Sequence, residues 1–140
     1  MATLAQIRTG FKTTIQAAVT GLTVYDTVPE VTNLPAVVVM PRSADFQVAM
    51  GRGADEWLFD LIVLVSPRDH GLAQVELDGY VTGAGASSIR QAIWNARTLG
   101  LAGTDAHVFG MDRYGATWDV GEIPNVGAAL QTRVHTTGTA

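Results

Sequence analysis

The stretch Trp57-Leu58-Phe59-Asp60-Leu61-Ile62-Val63-Leu64-Val65 decides the fold of this chain of 140 residues. Successive side chains of a β-strand point to opposite faces of its sheet. Every second residue from Trp57 to Val65 is apolar, and the intervening positions carry Leu58, Ile62 and Leu64 around Asp60. A strand with two apolar faces is predicted to lie at the centre of its sheet, or to present one face to a partner.

Two more strands are predicted before this one. Ala36 to Met40 is apolar without interruption, which predicts a strand buried on both faces that ends at Pro41. A shorter strand is predicted from Leu22 to Asp26. Residues from about 42 to 56, here called the arm, are polar and irregular. We predict that the arm is an extended hairpin or a long loop.

Three helices are predicted around these strands. Thr3 and Gln6 have the spacing of a capping box, and apolar residues follow at helical intervals as far as Ala18, before Gly21. A second helix is predicted from about His70 to Val81. The third is predicted to begin with a capping box at Ser88-Ile89-Arg90-Gln91 and to end near Arg97. Its inward-facing residues are predicted to be Ile89, Ala92, Ile93 and Ala96.

The C-terminal third is predicted to be a β-meander. Its strands are predicted at residues 106–114, 116–120 and 127–137, with turns at Tyr114-Gly115 and Pro124-Asn125. The last strand is predicted to be a half-buried sheet edge. The complete pattern predicts one α+β domain over residues 1–140, with a mixed or mostly antiparallel sheet and all three helices on one face.

The composition indicates a surface that is covered by other proteins. Charged residues make up 16% of the chain, against about 25% in an average soluble domain. The mean hydropathy is +0.20. No signal peptide or membrane-spanning stretch is recognisable, so we expect no membrane association. The net charge of −4 disfavours tight, sequence-independent binding of nucleic acid.

No pattern of a catalytic, metal or cofactor site stands out. The chain has no cysteine, and His70, His107 and His135 lack the i,i+3 or i,i+4 spacing that typifies metal ligands. The glycine-rich residues 83–88 lack the lysine of a phosphate-binding loop and are interpreted as a joint between helices. Asp60 is interpreted as a hydrogen-bonded or interface carboxylate. We therefore expect no enzymatic activity and no cofactor.

Four stretches resemble the tail terminator proteins, also called tail completion proteins, of long-tailed bacteriophages, particularly those of actinobacteria. They are the N-terminal helix leading into Leu22–Glu30, then Asn33–Val39, then Gly51–Glu56 running into the long strand, and finally Leu77–Tyr80 with Ser87–Ile93. This resemblance covers most of the chain in order.

The resemblance implies a structural virion protein that forms a ring, with six copies expected, on the head-proximal end of the tail tube. Such a ring is expected to stop tube polymerisation, to bind the major tail tube protein and the head-completion or connector protein, and to let DNA pass through its lumen. It would assemble in the host cytoplasm. On this interpretation the arm contacts a neighbouring subunit or the tube. Its expected interface residues are Phe46, Val48, Met50, Arg52 and Asp55.

Other functions are compatible with the same sequence. A head-completion, neck or minor tail protein would share the expected fold and the low charge. A dimeric domain that binds a small ligand, or a regulatory domain, belongs to a different class. A hydrolase-like enzyme has the least support, because no nucleophile motif is present.

Overall fold

The computed structural model describes residues 3–19, 21–27, 35–46, 54–65, 70–83, 85, 87–101, 103–120 and 123–137. Three helices and five strands lie within these ranges. They are α1 (Leu4–Ala18), β1 (Thr23–Tyr25), β2 (Ala36–Phe46), β3 (Ala54–Val65), α2 (His70–Val81), α3 (Ile89–Asn95), β4 (Thr104–Val120) and β5 (Ile123–Thr137).

The strands form one mixed sheet in the order β1-β2-β3-β5-β4. β1 pairs parallel with β2, and the other three pairs are antiparallel. β3 therefore lies at the centre of the sheet, as its two apolar faces predict. The α+β fold class is confirmed.

The two faces of β3 belong to two separate cores. Leu61 and Val63 lie in the larger cluster, which also holds buried residues from all three helices. Ile62 and Leu64 lie in a smaller cluster on the opposite face, together with Val38 of β2. Burial on both faces explains why residues 61–65 of β3 and 36–40 of β2 are all apolar.

α1 begins where the capping box places it. The Thr3 hydroxyl accepts a hydrogen bond from the Gln6 backbone N–H at 3.2 Å, and the Gln6 side chain accepts one from the Thr3 N–H at 2.9 Å. Ile7, Phe11 and Ile15 are buried against the sheet, whereas Ala18 is exposed at the helix end. Both ends of this helix are thus close to the prediction.

α2 has the predicted bounds, from His70 to Val81. Leu77 is buried, with Tyr80 and Val81 packed against the same core, whereas Val75 is 70% exposed. In α3, the Ser88 hydroxyl accepts from the Gln91 N–H at 3.0 Å, so the predicted cap is present. The Gln91 side chain does not complete a capping box and donates to Asn95 instead.

The prediction that Pro41 ends the second strand is wrong. β2 continues to Phe46, with a shift in register between Pro41 and Ser43. Because β1 pairs only as far as Val38, β2 has one neighbour at Pro41 among the described residues. Proline is tolerated on such an edge and beside a bulge, since no second ladder of hydrogen bonds has to be maintained.

The predicted three-stranded meander is also wrong, because residues 104–120 form a single strand. Tyr114-Gly115 lies in a bulge, where Arg113 and Gly115 have φ values of 55° and 75° and the register shifts between Asp112 and Ala116. Pro124 and Asn125 lie within β5 rather than in a turn. β5 is not an edge strand either, because it runs between β3 and β4.

Candidate interaction surface

The described residues of the arm, 42–46 and 54–56, extend the sheet as the ends of β2 and β3. Phe46 and Asp55 are register partners in the last described pair of β2 and β3, and Asp55 also pairs with Thr136 of β5. The structure thus brings two of the five predicted interface residues together. Val48, Met50 and Arg52 lie outside the described residues.

The outer edge of β2 is open along the arm. β1 covers only Ala36–Val38, and no described strand pairs with that side of β2 from Val39 to Phe46. Arg42, Ser43 and Asp45 are exposed there. The arm therefore offers an unpaired strand edge with one basic and one acidic side chain.

A second open edge, on β4, lies at the other side of the same sheet. β5 is the only described strand that pairs with β4. The Ala106 N–H donates to the Arg97 carbonyl at 2.8 Å, so the start of β4 is covered and the open edge begins near His107. Phe109 and Met111 on this strand are 44% and 46% exposed. Exposed strand edges of this length tend to pair with another chain.

A groove runs between α3 and the open edge of β4. Two adjoining hollows of about 370 Å³ and 200 Å³ share Arg90 and Val108 in their walls. Trp94 lines the larger hollow and is 61% exposed. Phe109 and Met111 line the smaller one. We call this feature the α3–β4 groove.

Arg90 occupies the middle of the α3–β4 groove and is exposed. A Cβ atom added at Gly83 would lie 3.4 Å from a guanidinium nitrogen of Arg90, so the glycine leaves room for that group. Within the described part of the chain, Arg90 forms no ion pair. The groove therefore presents a positive charge that no described carboxylate neutralises.

Two neighbouring arginines are already paired. Arg97 binds Asp105 through two hydrogen bonds of 2.8 Å and lies 4.7 Å above the Trp94 ring. Arg133 pairs with Glu56 at 2.7 Å. Arg97 contacts Trp94 at the groove, whereas Arg133 is the register partner of Leu58 and lies on the sheet face opposite the helices.

Tyr114 fastens the far half of β4 to α2. Its hydroxyl donates a hydrogen bond to the Asp78 carboxylate. Burial and this hydrogen bond both raise the pKa of Tyr114 above its usual value. The bond joins the bulge at residues 113–115 to α2.

Asp60 lies on the sheet face opposite the helices, between Met40 of β2 and Gln131 of β5. Burial raises the pKa of Asp60, nearby Arg42 opposes that rise, and Asp112 adds to it. Glu56, on the same face of β3, pairs with Arg133. The interpretation of Asp60 as a hydrogen-bonded or interface carboxylate stays a prediction.

The described residues contain no group of three or more His, Cys, Asp or Glu side chains able to hold a metal ion. None of the helices seen in these ranges is long and apolar enough to cross a membrane. What the geometry offers is a pair of open strand edges, one of them bordered by a groove.

The sequence reasoning missed the open edge of β4 and its groove. The signal was present in Phe109 and Met111, which alternate with Val108 and Gly110. Alternation of this kind also occurs in buried strands, and only the position of β4 at the end of the sheet distinguishes the two cases.

No protein-family model matches this chain, and no curated protein matches it either.

Proposed function

We propose that this protein is a structural subunit that assembles into a ring at the head-proximal end of a phage tail. The observation that carries the self-association is the pair of open edges, β2 at the arm and β4, on opposite sides of one sheet. A subunit with two different adhesive edges associates head to tail, and such contacts close into a ring when the rotation between neighbours allows it.

The composition supports burial of much of this surface in an assembly. The isolated chain exposes 7444 Å². Two neighbours that each cover about 800 Å² would bury roughly a fifth of that area. Contacts with a tube below and a connector above would cover more. A chain with 16% charged residues then needs fewer ionisable groups to stay in solution.

The place in the tail rests on the resemblance to tail terminator proteins. On this proposal the ring has six copies, binds the major tail tube protein and ends its polymerisation. Its other face binds the head-completion or connector protein. The chain has a net charge of −4, which suits a lumen that DNA crosses without adhering, because phosphate groups are repelled by carboxylates.

Electron microscopy of the purified protein, alone and with tail tubes, tests this function. We expect rings in the absence of tubes and a ring on one end of each tube in the mixture. The double substitution Phe46→Asp and Met50→Asp is expected to leave the fold intact and to abolish capping. Gln16→Asp with Ala17→Asp, on the exposed side of α1, is the matched control. A wild-type protein that stays monomeric and leaves tubes uncapped contradicts the proposal.

A dimeric ligand-binding domain is the second candidate. The larger hollow of the α3–β4 groove, about 370 Å³, reaches the size range of small-molecule sites, and Arg90 and His107 supply polar groups. Light scattering separates the two functions, because this candidate is a dimer and the proposed ring is larger. A thermal midpoint that rises with small anionic ligands also favours this candidate.

A neck or minor tail protein is distinguished by labelling intact particles and locating the subunit.

A further inference from the structure

We propose that the larger hollow of the α3–β4 groove binds a small aromatic anion. The carboxylate or phosphate group of this ligand would contact Arg90, and its ring would pack against Trp94. The inference rests on the binding site that the second candidate function invokes, and it names the class of ligand. It does not depend on the oligomeric state, because the described residues that line the hollow belong to one subunit.

Arg90 supplies the binding group for the anion. It is exposed in the wall of the hollow and forms no ion pair within the described part of the chain. A guanidinium binds a carboxylate or a phosphate through two parallel hydrogen bonds, which provide both affinity and orientation. A Cβ atom at Gly83 would lie 3.4 Å from one guanidinium nitrogen. The glycine therefore leaves room for an anion beside Arg90.

Trp94 supplies an apolar wall next to this cation. Residues four apart on a helix are neighbours on its surface, so Trp94 lies one turn along α3 from Arg90. The Trp94 side chain is 61% exposed. The Arg97 guanidinium lies 4.7 Å from the centre of its ring, and Arg97 is neutralised by Asp105. Because aromatic rings pack favourably on one another, a ring that carries an anionic group matches these two adjacent side chains.

The edge of β4 adds a backbone donor to the same hollow. The Ala106 N–H points away from β5, since it donates to the Arg97 carbonyl. Ala106 and Val108 pair with Val134 and Thr132, which are two residues apart, so Val108 directs its N–H and carbonyl to the same outer side. Among the described residues, no backbone group bonds to Val108 on that side. Its N–H is therefore a second donor in the wall of the hollow.

The size of the hollow favours an organic ligand. Its volume is about 370 Å³, and small-molecule sites range from about 300 Å³ to about 1,000 Å³. A bare inorganic anion would occupy the end at Arg90 and leave Trp94 uncovered. The hollow thus has room for a ring as well as for an anionic group.

The proposed ring gives Arg90 no anionic partner from the neighbouring strand. If β2 of the next copy lies along the edge of β4, the side chains that share the face of Val108 are those on the helix side of β2. Val39, Pro41 and Ala44 hold these positions, since their register partners in β3 belong to the helix-side core or pack against it. None of the three is charged. Covering a guanidinium without a counter-ion is unfavourable, and an anion bound in the hollow would supply one.

Calorimetric titration of the purified wild-type protein tests the class of ligand. Phenylacetate is the carboxylate ligand, and phenylacetamide has the same ring without the charge. Adenosine monophosphate and adenosine form the corresponding phosphate pair. We expect at least one of the two aromatic anions to bind roughly tenfold more tightly than its neutral analogue, and more tightly than acetate or inorganic phosphate, which lack the ring. The tighter of the two anions shows whether the site takes a carboxylate or a phosphate.

Two substitutions locate the bound ligand. Arg90→Gln removes the cation and Trp94→Ala removes the ring, and each is expected to weaken binding of the aromatic anion roughly tenfold. Arg8→Gln on α1 is the matched control for the charge. Phe109→Ala is the matched control for the ring, because the Phe109 ring lies 4.9 Å from the Arg133 guanidinium on the other face of the sheet. Both controls are expected to keep the wild-type affinity, and circular dichroism checks the fold of all four variants.

Three results overturn the inference: wild-type protein that binds neither aromatic anion, equal affinity for the anions and their neutral analogues, and unaltered binding by Arg90→Gln or Trp94→Ala. The outcome is separable from the proposed ring. Rings that bind no aromatic anion overturn this inference alone. Binding by a protein that forms no rings overturns the ring and leaves the site in place.

Discussion

Phe11 and Phe59 join α1 to the centre of the sheet. Both side chains are fully or almost fully buried, and their ring centroids lie 5.2 Å apart. We predict that Phe11→Ala lowers the free energy of unfolding by about 3–5 kcal/mol, because it removes a large buried group and leaves a cavity. Urea unfolding followed by circular dichroism measures the change.

The matched control is an aromatic residue on the surface. Trp94 is 61% exposed, so Trp94→Ala is expected to change the free energy of unfolding of the monomer by no more than about 0.5 kcal/mol. Equal losses for the two variants would mean that the buried ring pair is not a main contact between helix and sheet.

Asp60 gives the protein a pH dependence of stability. Burial raises the pKa of this carboxyl in the folded state above its ordinary value of 3.8. The folded protein therefore binds the proton more tightly than the unfolded chain, and stability falls as pH rises from 3.8 through the folded-state pKa. Above the folded-state pKa, the free energy of unfolding no longer changes with pH through this carboxyl.

Replacement of Asp60 by Asn should remove this loss. We predict that Asp60→Asn raises the free energy of unfolding at pH 7 and that its advantage over wild type shrinks as the pH approaches 3.8. Parallel urea titrations at several pH values measure it. An advantage independent of pH would show that the carboxylate charge is not responsible.

At the scale of elements, the start of α3 depends on one hydroxyl. Ser88 is buried, accepts from the Gln91 N–H and donates to the Thr82 carbonyl. We predict that Ser88→Ala lowers the free energy of unfolding by about 1–2 kcal/mol, since both a helix cap and a partner for a backbone carbonyl are lost. Thermal and urea unfolding provide the measurement.

Its neighbour is the matched control. Ser87 is exposed and precedes the cap, so Ser87→Ala should leave stability nearly unchanged. If both alanine variants unfold alike, the cap does not limit the stability of α3.

Local signals were sufficient for most elements. α1 and α3 could be predicted because their caps and apolar intervals are encoded within a few residues, from Thr3 and Ser88 onward. β3 could be predicted because apolar residues on both faces favour a strand at the centre of its sheet. These features depend on residues that are close together in the sequence, so they can be recognised without knowledge of the fold.

Other elements depend on what lies beside them in the sheet. A proline ends a strand that is paired on both sides. At Pro41, β2 is paired on one side only, because β1 pairs with it no further than Val38. Gly115 permits a positive φ in a turn and equally in a bulge. The choice between these structures is made by pairing partners that are distant in sequence.

The same limit applies to the candidate surface. The arm is predicted to be an extended hairpin or a long loop, and its described residues 42–46 and 54–56 are strands, while its interface role stays a prediction. The α3–β4 groove could not be predicted, because it combines Arg90 and Trp94 with Phe109 from a strand whose place at the sheet edge is a property of the topology.

At the scale of the whole molecule, assembly and stability should be linked. An oligomer that forms only from folded subunits stabilises them by mass action, so its thermal midpoint depends on protein concentration. We predict that the midpoint of the wild-type protein rises by several degrees between about 1 µM and about 100 µM. Scanning calorimetry and intrinsic fluorescence provide the measurement.

The variant Trp94→Asp separates this effect from ordinary folding. The substitution places a carboxylate in the α3–β4 groove and leaves the buried core untouched, so its midpoint should not vary over the same concentrations. Val75→Asp is the matched control, because Val75 is 70% exposed on α2 and lines neither hollow of the groove. If the wild-type midpoint is as constant as that of Trp94→Asp, the folded chain is stable by itself. The low charge content would then need an explanation other than subunit contacts.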